Sequence, residues 1–299
     1  MEASAELLGR LRGVALSRTA FRRLTWANVV MLIVIVATGA TVRLTGSGLG
    51  CEHWPGCQVH HFEPKSYHSY IEFGNRLVAA FTILVTLVTF GAALFTQLSK
   101  RLRWLAFAIF IGTLAQAPLG AITVYSHLNP WLVMTHFALS LVVLVLGVWL
   151  AVELDRRAAP ATPAWVRRAS VVVWLAACVL VTSGMFATAA GPHPGSAVVR
   201  RLWSFEPAVY WHVRATAVFG VSFALLLVWL VRNHSPHVRG ALVVLGLIAV
   251  QMTIGEVQYR THLPWWLVLA HVTVAATVWT AVAAFGIRFW RPGEVSKAT

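Results

Sequence analysis

Apolar residues in this chain come in long unbroken runs, not in the three-and-four spacing of a surface helix. Runs of about 18 or more apolar residues suit a helix that crosses a bilayer. Eight such stretches recur, over roughly 26–44, 69–96, 104–125, 131–153, 166–188, 208–231, 239–259 and 265–288. Hydrocarbon tolerates only backbone that satisfies its own hydrogen bonds, so the runs predict helices. An even number of crossings puts both chain ends on one side. Polar residues gather between the runs, with one conspicuous exception. The stretch YIEFGNRLVAAF, Tyr70 to Phe81, opens the second run yet carries Glu72, Asn75 and Arg76 within five positions.

The pattern repeats. QAPLGAITVYSHLNPWLVMTH, Gln116 to His136, matches QMTIGEVQYRTHLPWWLVLAH, Gln251 to His271, at a constant offset of 135. Gln116, Gly120, His127, Trp131 and His136 fall on Gln251, Gly255, His262, Trp266 and His271. Upstream, Gly39, Gly46 and Gly50 pair with Gly184, Gly191 and Gly195 at an offset of 145; the second-half loop then shortens, and Asn75 falls opposite His212 at an offset of 137. Self-similarity at fixed offset marks duplicated structural units. The expected fold is therefore an all-α integral membrane protein of eight transmembrane helices, arranged as two pseudo-symmetric four-helix bundles, 1–155 and 156–299. With four crossings each, the halves run parallel, related by an axis along the membrane normal.

Composition agrees: 58% of the 299 residues are hydrophobic and 11% are charged, against about 25% charged in soluble domains. A formal net charge of +14 invites a nucleic-acid partner until the basic residues are placed. Seventeen of the 24 lie before the first run, in the even-numbered connections or after the last run, against Arg43, Lys65, Arg200, Arg201 and Arg260 on the opposite face. This is the positive-inside asymmetry, with both termini cytoplasmic. The excess reports topology in a lipid bilayer, and no nucleic-acid partner is expected. The arm MEASAELLGRLRGVALSRTAFRRL contains Glu2 and Glu6 and lacks a cleavable signal pattern, which fits a cytoplasmic tail lying on anionic lipid.

Cys178 lies inside the fifth run as apolar filler, whereas Cys51 and Cys57 sit in the first outer loop, GSGLGCEHWPGCQVHH. Five intervening residues including Pro55 and Gly56 make a disulfide easy on the oxidising side of the membrane. The other reading is a metal site with His53, His60 and His61; the disulfide is preferred because structural zinc sites usually take four ligands at closer spacing.

Ionisable residues inside apolar spans are expensive and mark function. His136, His212 and His271 open the fourth, sixth and eighth runs at similar depth on the outer side. Side chains on facing helices of a bundle can converge on a cofactor, and two neutral imidazoles from opposite sides suit the axial positions of a haem iron. His212 and His271 are the candidate pair, with Arg214 placed to meet a haem propionate; a helix-to-helix hydrogen bond is the plainer alternative. His127 and His262, in loops, suit propionate binding or proton relay. In the first half His136 faces Asn75, a poor iron ligand, with Glu72 one turn earlier on the same face. One open metal face beside a carboxylate distinguishes a catalytic site from an electron-transfer site. A Glu72–Arg76 ion pair at i,i+4 spacing is the structural alternative, compatible with the catalytic one.

In combination, the loop TGSGLGC…WPGC, the segment IEFGNR and the histidines opening runs four, six and eight resemble the haem A synthase family over nearly the whole chain. The resemblance implies oxidation of the C8 methyl of haem O to a formyl group, by two hydroxylations and loss of water. It implies haem b held through His212 and His271, substrate haem near His136, and Glu72 as the catalytic acid. Asn75, Arg76 and His127 would complete the substrate site. Cys51 and Cys57 match the family's loop cysteines. Asn75 departs from the commoner histidine, which fits His136 holding the substrate iron alone. Implied partners are haem O and haem A, haem O synthase and cytochrome oxidase assembly factors, in a bacterial cell membrane with the haem sites toward the outer face. A non-catalytic di-haem cytochrome b would instead show equal ligand pairs in both halves, and a haem carrier without chemistry would not need Glu72.

Overall fold

A computed structural model of the chain describes residues 16–58, 63–155, 162–197, 199 and 201–290. The N-terminal arm up to residue 15, His60, His61, Arg156, Arg157, Arg200, Arg291 and Lys297 lie outside the described residues.

Every apolar run is a helix: α1 (Arg18–Leu44), α2 (Tyr67–Phe95), α3 (Lys100–Tyr125), α4 (Pro130–Glu153), α5 (Ala164–Ala190), α6 (Phe205–Arg232), α7 (Val238–Arg260) and α8 (Trp265–Phe289). All eight are long and apolar enough to cross a membrane. Several begin before their apolar run, α1 by eight residues, because polar capping extends the first turn. Ser17 accepts the Ala20 amide, Ser66 forms a reciprocal box with Ser69, Ser99 accepts Leu102 N–H, and Asn129 caps the Pro130 start of α4. Side chains of this kind satisfy amides that have no partner inside the helix.

Helix α1 packs on α2 and α4, α2 on α3, and α3 on α4; among the later helices α5 packs on α6 and α8, and α7 on α6 and α8. The seam between the two sets is formed by α8 against α1 and α4. There Leu144 and Val148 are fully buried, Trp279 stacks on Trp174, and the Trp279 indole donates to Leu141 O at 3.1 Å. Gly147 lets α1 approach α4 closely, since a Cβ there would meet Leu32 Cδ1 at 3.2 Å; small residues do this work where lipid supplies no hydrophobic drive. Elsewhere large apolar side chains such as Leu225 and Val243 face outward. The ends assigned to one side by charge lie together: Arg22 and Arg288 both reach Asp155, and Arg101 reaches Glu153.

The repeat extends to backbone conformation. Helices α3 and α7 both end in two consecutive left-handed residues, His127–Leu128 and His262–Leu263. Leu128 N–H returns to Thr123 O and Leu263 N–H to Gln258 O, closing the last helical turn in the manner of a C-cap. Leu128 is then buried between Gly48 and Gly195, where a Cβ would stand 2.7 and 3.2 Å from its Cδ1.

Candidate functional site

His212 sits about two turns into α6 and His271 almost two turns into α8. Their rings face one another with centroids 6.5 Å apart. Metal–imidazole bonds of about 2 Å, plus about 1 Å from ring nitrogen to ring centre, put two imidazoles on one ion about 6 Å apart. The separation therefore fits a shared metal and is too long for a direct hydrogen bond between the rings. Each ring has a hydrogen-bond partner on one nitrogen. Ser183 Oγ lies 3.1 Å from His212 Nδ1, and Gln251 Nε2 lies 3.0 Å from His271 Nε2, while His271 Nδ1 is buried with no partner among the described residues. Partners on one nitrogen fix ring orientation and leave the other for a metal. Glycine supplies the room: a Cβ on Gly184 would meet His212 Cε1 at 3.0 Å, and one on Gly255 would meet His271 Cε1 at 3.1 Å.

The same furniture recurs in the first half with one change. A Cβ on Gly120 would stand 3.5 Å from His136 Cε1, and one on Gly39 would stand 4.0 Å from Asn75 Oδ1. Thr38 Oγ1 lies 2.7 Å from Asn75 Oδ1, as Ser183 does from His212 Nδ1. Asn75 thus occupies the cradle of a histidine, but presents an amide instead of an imidazole. Both amide atoms of Gln116, the counterpart of Gln251, and Nδ1 of His136 are buried without partners among the described residues. Orphaned buried polar atoms of this kind call for a bound group. Beside them lies a cavity of about 490 Å³, lined by His136, Asn75, Glu72, Arg76, Gln116 and residues of α1, α5 and α8. Its size is that of a small-molecule site.

Glu72 is 4% exposed. Its Oε2 accepts Cys51 N–H at 2.8 Å, and Oε1 accepts Arg76 Nη2 at 2.5 Å. Arg76 Nη1 in turn donates to the carbonyls of His53, Pro55 and Gly56. Cys51 and Cys57 form a disulfide, so the closed loop they make is fastened to α2 by these contacts. Arg76 is committed to Glu72 and the loop, which answers what it does in the IEFGNR segment. The disulfide also removes the two thiols that a loop metal site would have needed, and no group of three metal-binding side chains occurs among the described residues.

Other candidates lie elsewhere. Arg214 is exposed, with its guanidinium 4.0 Å over the Tyr210 ring. His127 and His262 are exposed turn residues. His193 is half-buried, with Nε2 2.8 Å from Leu263 O. Sequence reasoning missed Thr38 and Ser183, although the 145-residue offset carries one onto the other. It also missed Arg43 as a cavity residue.

Eight membrane-length helices define a multi-pass membrane protein, with histidines at matched positions in its two halves. The particular family is fixed by sequence: the chain belongs to the COX15-CtaA family of cytochrome oxidase assembly proteins, whose pattern matches residues 22–283. It is similar to a protein named heme A synthase from Geobacillus thermodenitrificans, 31% identical over 138 residues, covering 46% of this chain and 44% of that one. Another of the same name, from Geobacillus kaustophilus, is 32% identical over 42% of this chain and 41% of its own length. A third, from Symbiobacterium thermophilum, is 29% identical over 260 residues, 79% of this chain and 84% of that one. The match thus spans less than half the length of the two Geobacillus proteins.

Proposed function

We propose that the chain oxidises the C8 methyl of haem O to the formyl of haem A, serving cytochrome oxidase biogenesis. The observation that carries this is the asymmetry of the two matched sites: two facing imidazoles in one, and in the other a single imidazole, an amide and a buried carboxylate on a cavity. An electron carrier needs no such difference between its sites. The halves 1–155 and 156–299 then divide the labour. His212 and His271 hold haem b, which when bound supplies one-electron redox chemistry. His136 holds the substrate iron, Glu72 handles protons at the reacting edge, and the loop tied to Glu72 and Arg76 excludes water. The termini face the cytoplasm and both sites face the outer leaflet of the cell membrane. Haem O arrives from a haem O synthase and haem A leaves to assembly factors.

Membranes containing this protein and a haem O source should accumulate haem A on extraction and chromatography. Unchanged haem O would end the proposal. A second outcome tests the role of Asn75. Because Thr38 and Gly39 still shape a histidine cradle, Asn75→His should turn the iron bound at His136 from high-spin to six-coordinate low-spin in absorption and electron paramagnetic resonance. A spectrum unmoved by that substitution would mean that Asn75 does not face the iron.

A further inference from the structure

We propose that Arg43 is the anchor for a carboxylate of the ligand in the first-half cavity, and this rests on the haem reading of that site. Arg43 lies in the last turn of α1, half-buried, and lines the cavity. Its Nε donates to His193 O at 2.9 Å and one Nη2 proton to Thr188 O at 2.7 Å. These two carbonyls orient the fork without neutralising it. The two protons of Nη1 and the second of Nη2 have no partner among the described residues.

No carboxylate reaches Arg43 within the described chain. Glu72 pairs with Arg76, Glu153 with Arg101, Asp155 with Arg22 and Arg288, and Glu256 with Arg260. A cation at the end of an apolar span without a counter-charge marks a ligand's path or seat. Arg76, the other guanidinium on the cavity, is already balanced by Glu72. The site thus offers one unspent charge to an incoming anion, and a guanidinium fork suits a carboxylate bidentately.

Position agrees with an amphipathic disc whose acidic groups lie on one edge. Arg43 stands at the end of α1, where α4 begins, whereas His136 lies almost two turns inside α4. The cavity wall near them includes apolar Val36, Met134 and Phe137. Of the carbonyls that orient Arg43, Thr188 O belongs to the last turn of α5 and His193 O to the segment after it, so the anchor is built from both repeats. A lipid phosphate could satisfy the same charge, and the test separates the two.

The full chain in lipid nanodiscs is titrated with iron protoporphyrin IX and with its dimethyl ester, and binding is taken at the site that His136→Ala removes. The diacid should bind about 10- to 100-fold more tightly than the ester, the range for charge-assisted hydrogen bonds. Arg43→Gln should bring the two together, with Arg43→Lys between. Equal binding of acid and ester by the unaltered protein would overturn the assignment, Arg43 then serving the loop or a lipid headgroup. Discrimination that survives Arg43→Gln would overturn it as well. If neither porphyrin binds at a His136-dependent site, the haem reading of the cavity fails and the anchor with it.

Discussion

Replacing Glu72 with alanine should lower conversion of haem O to haem A by at least about 100-fold, the usual contribution of a positioned proton-transfer group. The absorption of the haem held by His212 and His271 should be unchanged. The structure shows why alanine alone is ambiguous. It would remove both the carboxylate and the acceptors of Cys51 N–H and Arg76, leaving a guanidinium unpaired in a largely buried position. Breaking a buried pair in this way costs about 3–5 kcal/mol, and the loop would lose its Cys51 N–H contact to α2 while keeping those made by Arg76. Glutamine separates the roles, because it keeps an acceptor for the loop amide while losing the charge and the basicity. Activity lost in both variants identifies proton handling. Activity retained with glutamine but lost with alanine identifies Glu72 as a fastener of the loop, and the catalytic assignment is then wrong.

His271→Ala should abolish the low-spin signal of a bis-imidazole haem, and His212→Ala should do the same. His136→Ala should leave that signal in place. The two rings stand at a separation that fits one shared ion, each with a hydrogen-bond partner on one nitrogen, so on the proposed reading removing either ring leaves a five-coordinate iron. A low-spin signal that survives both substitutions would show that the ligands lie elsewhere. Ser183 and Gln251 provide a graded version: their loss should loosen ring orientation and reduce metal affinity by about 10–100-fold, the usual effect of outer-shell partners.

Much of the fold was legible because the bilayer imposes a length on every helix. The ends of α2 to α8 lie within a few residues of the apolar runs, and α1 exceeds its run only where capping and basic turns carry the helix beyond the apolar core. The histidine pair was legible from the repeat. What was not legible depended on contacts between segments distant in sequence. Cys51 N–H on Glu72 joins a loop to a helix 21 residues on, and Arg43 meets carbonyls about 150 residues away. A charged residue's partner has no periodicity to betray it.

Helix α8 belongs to both sites. Val268 and Val272 line the first-half cavity, while His271, one residue before Val272, faces His212. Any rotation of α8 that re-aims His271 also moves the cavity wall. If α8 turns as one rigid element, occupancy of one site is linked to occupancy of the other. Thermodynamic reciprocity makes that linkage equal in both directions, so a substitution that alters haem affinity at His271 should alter, by way of α8, how tightly the cavity holds its own ligand.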